Sequence, residues 1–122
     1  MPLILIVEDD PSNRELLVQL LEEEYQVLQA ADGEDAVAIA AAERPDLIVM
    51  DLALPGTDGW EATRRIKFNH GTGHIPVIAL TGYALGSHHD EALRAGCDVF
   101  LTKPIDPGGL CEHIRDLLAG RS

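Results

Sequence analysis

Short aliphatic runs and stretches of helical period alternate five times along this chain, and that alternation restricts the fold more than any other feature. The runs are Leu3–Val7, Gln26–Ala30 and residues 47–50, 77–80 and 99–101. All but the second are nearly continuous in apolar residues, as parallel strands buried on both faces should be. Parallel neighbours must be joined by right-handed crossovers, so the intervening helices cover both faces of one sheet.

The helices carry their own start and stop signals. The first begins with Asp10 as cap and Pro11 in its first turn and is expected to reach about residue 24. Leu16, Leu17, Leu20 and Leu21 form its predicted buried stripe. A second follows a cap at Asp32, carries Ala36, Val37 and Ala40, and stops before Pro45. A third starts at Asp58, with Glu61 as a capping-box partner. A fourth runs from Ser87, with Asp90 in its first turn, to Gly96; the fifth starts near Pro107 and buries Leu110, Ile114, Leu117 and Leu118. Gly71 to Gly73 reads as a flexible loop. The expected class is α/β, a doubly wound five-stranded parallel sheet with five helices, in a single domain over residues 1–122.

Composition removes several functions. The formal net charge of −12 repels phosphate backbones, which argues against nucleic acid and anionic membrane surfaces as partners. No apolar stretch is long enough to span a bilayer, and the N-terminus lacks a basic leader, so a cytoplasmic protein is expected. Cys97 and Cys111 have no ligand spacing suited to zinc and read as reduced thiols.

One residue contradicts its surroundings. In LIVMDLALPG, four apolar residues lead to Asp51, where burial would desolvate a carboxylate. The carboxyl ends of all strands in such a sheet share one edge, which is where ligands bind. Glu8, Asp9 and Asp10 follow the first strand, Thr81 closes the fourth, and Lys103, before Pro104, closes the fifth. Taken singly, Glu8 and Asp9 would be solvated turn acids, Thr81 a structural hydroxyl, Lys103 a surface lysine and Asp10 a helix cap. Together, Glu8, Asp9 and Asp51 would repel one another and raise their pKa values, and Lys103 offsets one charge. A small, hard divalent cation would offset the others, and an all-oxygen site suits Mg²⁺. Carboxylate nucleophile, metal, ammonium and hydroxyl form a set suited to phosphoryl transfer, with an aspartyl phosphate as product.

These residues carry a resemblance. LIVEDDP, PDLIVMDLALPGTDG, IPVIALTGYA and AGCDVFLTKPI together make the chain similar to response-regulator receiver domains along essentially its whole length. The resemblance implies a flavodoxin-like strand order of 2-1-3-4-5. It implies that Asp51 takes a phosphoryl group from a histidine kinase or histidine phosphotransfer protein. Glu8, Asp9, Asp51 and the backbone carbonyl of Ala53 would hold Mg²⁺. Lys103 and Thr81 would contact the phosphoryl oxygens, and Phe100 would swing inward with Thr81. The surface of the fourth helix, fifth strand and fifth helix would then change for a downstream protein target. In finer character, the segments around Thr81 and Lys103 resemble receivers of hybrid kinases or single-domain regulators of the cell-division class; a stand-alone regulator is expected, with a receiver cut from a larger protein as the alternative. Two other readings compete. An aspartate phosphatase of the haloacid dehalogenase type would need an acid two residues after the nucleophile, where Ala53 stands. A binding module that never uses phosphate is the other. Adjacent His88 and His89 point in different directions on a helix and are expected to lie near the output face, not to bind metal.

Overall fold

Every aliphatic run becomes a strand, within a residue of its expected bounds. The computed structural model describes residues 1–52, 59–81 and 96–120. Its five parallel strands, β1 (Leu3–Val7), β2 (Gln26–Ala30), β3 (Leu47–Asp51), β4 (Val77–Thr81) and β5 (Val99–Thr102), lie in the order β2-β1-β3-β4-β5. Four helices are found among the described residues: α1 (Pro11–Leu21), α2 (Gly33–Glu43), α3 (Gly59–Lys67) and α4 (Pro107–Ala119). The helix expected between residues 87 and 96 lies, except for Gly96, outside the described residues, as do His88, His89 and the expected cap Asp58.

Residue alternation sorts the sheet into two cores. Leu5, Val7, Ile48, Met50, Val77 and Ala79 pack against Ala36 and Ala40 of α2 and Ala62 and Ile66 of α3. Ile4, Ile6, Leu47, Val49, Ile78 and Leu80 pack on the other side, with Leu21 of α1 and Leu110 and Ile114 of α4. β3 and β4 are buried along their whole length. Each wholly buried Ile, Leu or Val there contributes roughly 1.5–3 kcal/mol. β5 closes one edge of the sheet and is only partly covered.

Two expectations need correction. α1 ends at Leu21, short of residue 24, because Glu24 and Tyr25 turn their N–H groups back to the Leu21 carbonyl and Tyr25 enters the core. Its buried stripe is Leu17, Val18 and Leu21; Leu16 and Leu20 are 64% and 36% exposed. The stretch from Gly71 to Gly73 is not a loose loop. Thr72 is buried, its hydroxyl donates to the Ile66 carbonyl at 2.7 Å, and the Gly73 N–H donates to the Asn69 carbonyl at 2.7 Å.

The opposite end of the sheet is stapled by charge. Asp98 accepts hydrogen bonds from the Val77 N–H and the Lys67 ammonium, each at 2.8 Å, while Lys67 also donates to the Ile75 carbonyl at 2.6 Å. The Lys67 stem in turn lies against Gly96, whose φ of +95° and close contact disfavour a side chain. The staple joins α3 to the starts of β4 and β5. Asp98→Ala should lower stability by about 2 kcal/mol, the scale of hydrogen bonds to a charged group. Urea unfolding checks this, and Asp98→Asn, which keeps an acceptor for Val77, should recover part of the loss.

Candidate functional site

The same alternation that builds the two cores aims the polar side chains. Asp51 continues the row of Leu47 and Val49, Glu8 that of Ile4 and Ile6, and Lys103 that of Val99 and Leu101. All three therefore emerge on the α1/α4 side of the sheet's carboxyl edge. The ladder extends far enough to hold them there: the Glu8 N–H donates to the Ala30 carbonyl at 3.1 Å and the Lys103 N–H to the Thr81 carbonyl at 2.6 Å. Lys103 Nζ reaches Asp51 Oδ2 at 3.1 Å and Glu8 Oε1 at 3.7 Å. Glu8, Asp9 and Asp51 offer carboxylate oxygens within 4.8 Å of one another.

The electrostatics of this pocket are unbalanced. Glu8 and Asp51 are each 2% exposed, whereas Asp9 faces solvent. Among the described residues, these three carboxylates against the Lys103 ammonium leave a formal charge of −2 when all are ionised. In the metal-free protein the strain falls on Glu8. Burial, a hydrogen bond to Asp51 and the Asp51 charge push its pKa up to about 7, against the pull of the Asp10 N–H and Lys103. Burial alone would pull the Lys103 ammonium down, but its hydrogen bond to Asp51 and the charges of Asp51, Glu8 and Asp9 carry it above its ordinary value. An all-oxygen donor set with two charges uncompensated fits a hard divalent cation.

Asp10 caps α1 as expected: its side chain accepts from the Ser12 and Asn13 N–H groups at 2.8 and 3.2 Å. Thr81 is buried at the neighbouring strand end, opposite Thr102, and alternation puts it in the row of Val77 and Ala79. Phe100, opposite Ala79, packs against that same α2/α3 core. The Asp51 group and the Thr81–Phe100 row thus occupy opposite sides of the sheet. Ala53 lies outside the described residues.

Three neighbours of the site escaped the sequence reading. Arg14 donates from its guanidinium to the Glu8 carbonyl at 2.9 Å and to Gln29 Oε1 at 3.2 Å. Gly59 opens α3 directly against the backbone of Asp51 and Leu52, where a Cβ would collide with the Asp51 carbonyl oxygen. A glycine at a helix start was the visible signal, but the backbone it packs against was not. Finally, a groove of about 620 Å³ runs from Glu8 and Lys103 along Leu16, Leu17 and Leu20 of α1, facing Pro104 and Ile105.

The raised Glu8 pKa makes a signed prediction for metal-free protein. Glu8 keeps its proton in the fold up to about pH 7 but loses it near 4.5 when unfolded. Between those values the unfolded chain binds fewer protons, so this group's contribution to stability falls as pH rises, and the loss is complete above about 7. Wild type should therefore lose stability relative to Glu8→Gln across that window in chelator-containing buffer. Unfolding curves with parallel pH dependence would refute it.

Comparison with known proteins agrees with this architecture. The family model for the response regulator receiver domain matches residues 4–115. Protein PilH of Pseudomonas aeruginosa is 40% identical over 118 residues, covering 96% of this chain and 98% of its own. The polar-differentiation response regulator DivK of Brucella anthropi is 35% identical, covering 94% of each. Among solved structures, the receiver domain of a histidine kinase from Syntrophus aciditrophicus superposes with a TM-score of 0.92 at 38% identity, covering 98% of this chain and 92% of that one. A sensor histidine kinase receiver domain from Pseudomonas aeruginosa, with a magnesium ion coordinated in its active-site cleft, has a TM-score of 0.90 at 36% identity, covering 97% and 98%. With a family match spanning most of its length and a sheet of the same order, this chain belongs to the response regulator receiver domains of two-component signalling systems.

Proposed function

We propose that this receiver is a phosphorylation-switched signalling module in which Asp51 accepts a phosphoryl group from a phosphohistidine on a kinase or phosphotransfer protein. The observation that carries the reading is a buried Asp51 held 3.1 Å from the Lys103 ammonium, beside Glu8 and Asp9, at the carboxyl edge of a parallel sheet. In the transfer, an Asp51 carboxylate oxygen bonds to phosphorus as the P–N bond to the donor imidazole breaks, and the imidazole leaves with the bonding pair. Lys103 neutralises phosphoryl oxygens, and the Thr81 hydroxyl binds them once they arrive. Glu8, Asp9, Asp51 and the Ala53 carbonyl would hold Mg²⁺, which when bound supplies positive charge to the transferring group.

Thr81 and Phe100 lie on the α2/α3 side of the sheet, so drawing Thr81 toward a new charge at Asp51 would pull on the other face. That linkage would alter the surface read by a downstream protein. Catalysis in this reading is confined to the chain's own phosphorylation and slow autodephosphorylation. Ala53 brings no polar side chain to orient an attacking water. The unit proposed is one domain over residues 1–122 in the cytoplasm, with protein partners and no nucleic acid or membrane, in keeping with the net charge of −12. Among the described residues no helix is long and apolar enough to cross a membrane. The family match favours this reading over a haloacid-dehalogenase-type phosphatase.

The groove beside the site suits the phosphohistidine-bearing helix of the donor. Leu16 and Leu20 lie exposed along it, and Lys103 stands at its end. An amphipathic helix laid there would bury those leucines and bring an imidazole to Asp51.

Two experiments test the proposal. Incubation with Mg²⁺ and acetyl phosphate should add one phosphoryl group to wild type by intact mass, and none to Asp51→Asn or with chelator; an unmodified wild type overturns it. Leu16→Asp should leave acetyl phosphate labelling unchanged while slowing transfer from a kinase that labels wild type by about tenfold, the loss of roughly 1.4 kcal/mol of apolar burial. Equal transfer rates would place the donor elsewhere.

A further inference from the structure

We infer that Arg14 is a positioning residue for the metal-binding acids: anchored on Gln29, its guanidinium grips the Glu8 carbonyl and aims the Glu8–Asp9 turn at Asp51. The inference rests on the Mg²⁺ reading of the pocket. Asp9 is exposed, so packing does not fix its direction; the peptide that precedes it does. The two peptide groups that flank the Glu8 α-carbon are both held. The Glu8 N–H is tied to the Ala30 carbonyl at 3.1 Å, and the Glu8 carbonyl takes the Arg14 guanidinium at 2.9 Å. Beyond the peptide, the Asp10 N–H returns to Glu8 Oε2 at 3.2 Å while the Asp10 carboxylate caps α1. Arg14 is thus a brace from α1 across the end of β1 to Gln29 on the edge strand β2.

The two physical effects of Arg14 on a bound cation have opposite signs. As a positive charge bonded to the Glu8 backbone, it opposes a metal ion. As a brace, it pre-sets the direction of two ligands and favours the ion, as groups that orient metal ligands do. Bidentate holding of two acceptors is a task for a guanidinium that an ammonium meets only in part. The sign of the change on removing Arg14 therefore separates bracing from charge.

The test is an Mg²⁺ titration of the full chain followed by the backbone amide shifts of Asp9 and Asp10. Arg14→Gln should weaken Mg²⁺ binding about tenfold, even though it makes the pocket more negative, and Arg14→Lys should recover part of that loss. Equal or tighter binding by a folded Arg14→Gln overturns the inference. Should that variant fail to fold, Gln29→Leu, an exposed position that keeps the arginine charge, decides it: about threefold weaker binding supports the brace and unchanged binding overturns it. A wild type that binds no Mg²⁺ sinks the underlying reading as well, whereas a binding wild type matched by its variants sinks the brace alone.

Discussion

The contact between the Lys103 ammonium and the buried Asp51 carboxylate is the constraint on which the rest of the site depends. An unpaired carboxylate this deep would carry a desolvation penalty of several kcal/mol, more than one neutral hydrogen bond returns. The ammonium makes the position tolerable, yet among the described residues the carboxylates of Glu8, Asp9 and Asp51 outnumber the Lys103 ammonium they face. Metal-free, the pocket answers by leaving a proton on Glu8. The pocket is negative enough to favour a divalent cation, and the proposed phosphoryl transfer would depend on that cation's charge, because the acids alone would repel an anionic group.

The sheet gives that pocket its orientation and also divides the molecule. Glu8, Asp51 and Lys103 fall in the rows facing α1 and α4, whereas Thr81 and Phe100 fall in those facing α2 and α3. The proposed donor groove lies with the first set. The Asp51 pocket and the proposed Thr81–Phe100 switch row are thus on opposite sides of one sheet, joined at the ends of β3 and β4 through the pairing of Asp51 with Leu80.

Much of this was legible in the chain because strands buried on both faces write themselves as aliphatic runs, and the polar residue ending each run marks the carboxyl edge. Asp51, Thr81 and Lys103 could be placed from that rule, and Glu8 and Asp9 from the run before them. The width of α1's buried face could not. Periodicity tells which leucines share a side of a helix, but how far the sheet extends beneath them decides that Leu17 and Leu21 are covered while Leu16 is not. Arg14 was invisible for another reason: its partner is a backbone carbonyl, which leaves no trace in residue identity. The Lys67–Asp98 staple joins residues 31 apart that each look like ordinary surface charges.

β5 is only partly covered and lies at an edge, where hydrophobic burial alone holds alignment weakly. Sliding it by a single residue would turn Lys103 toward α2 and α3 and abandon Asp51 to apolar surroundings. The lysine proposed to serve the chemistry would therefore also lock how the last strand is threaded, so a misthreaded molecule would be unable to signal, not wrongly active.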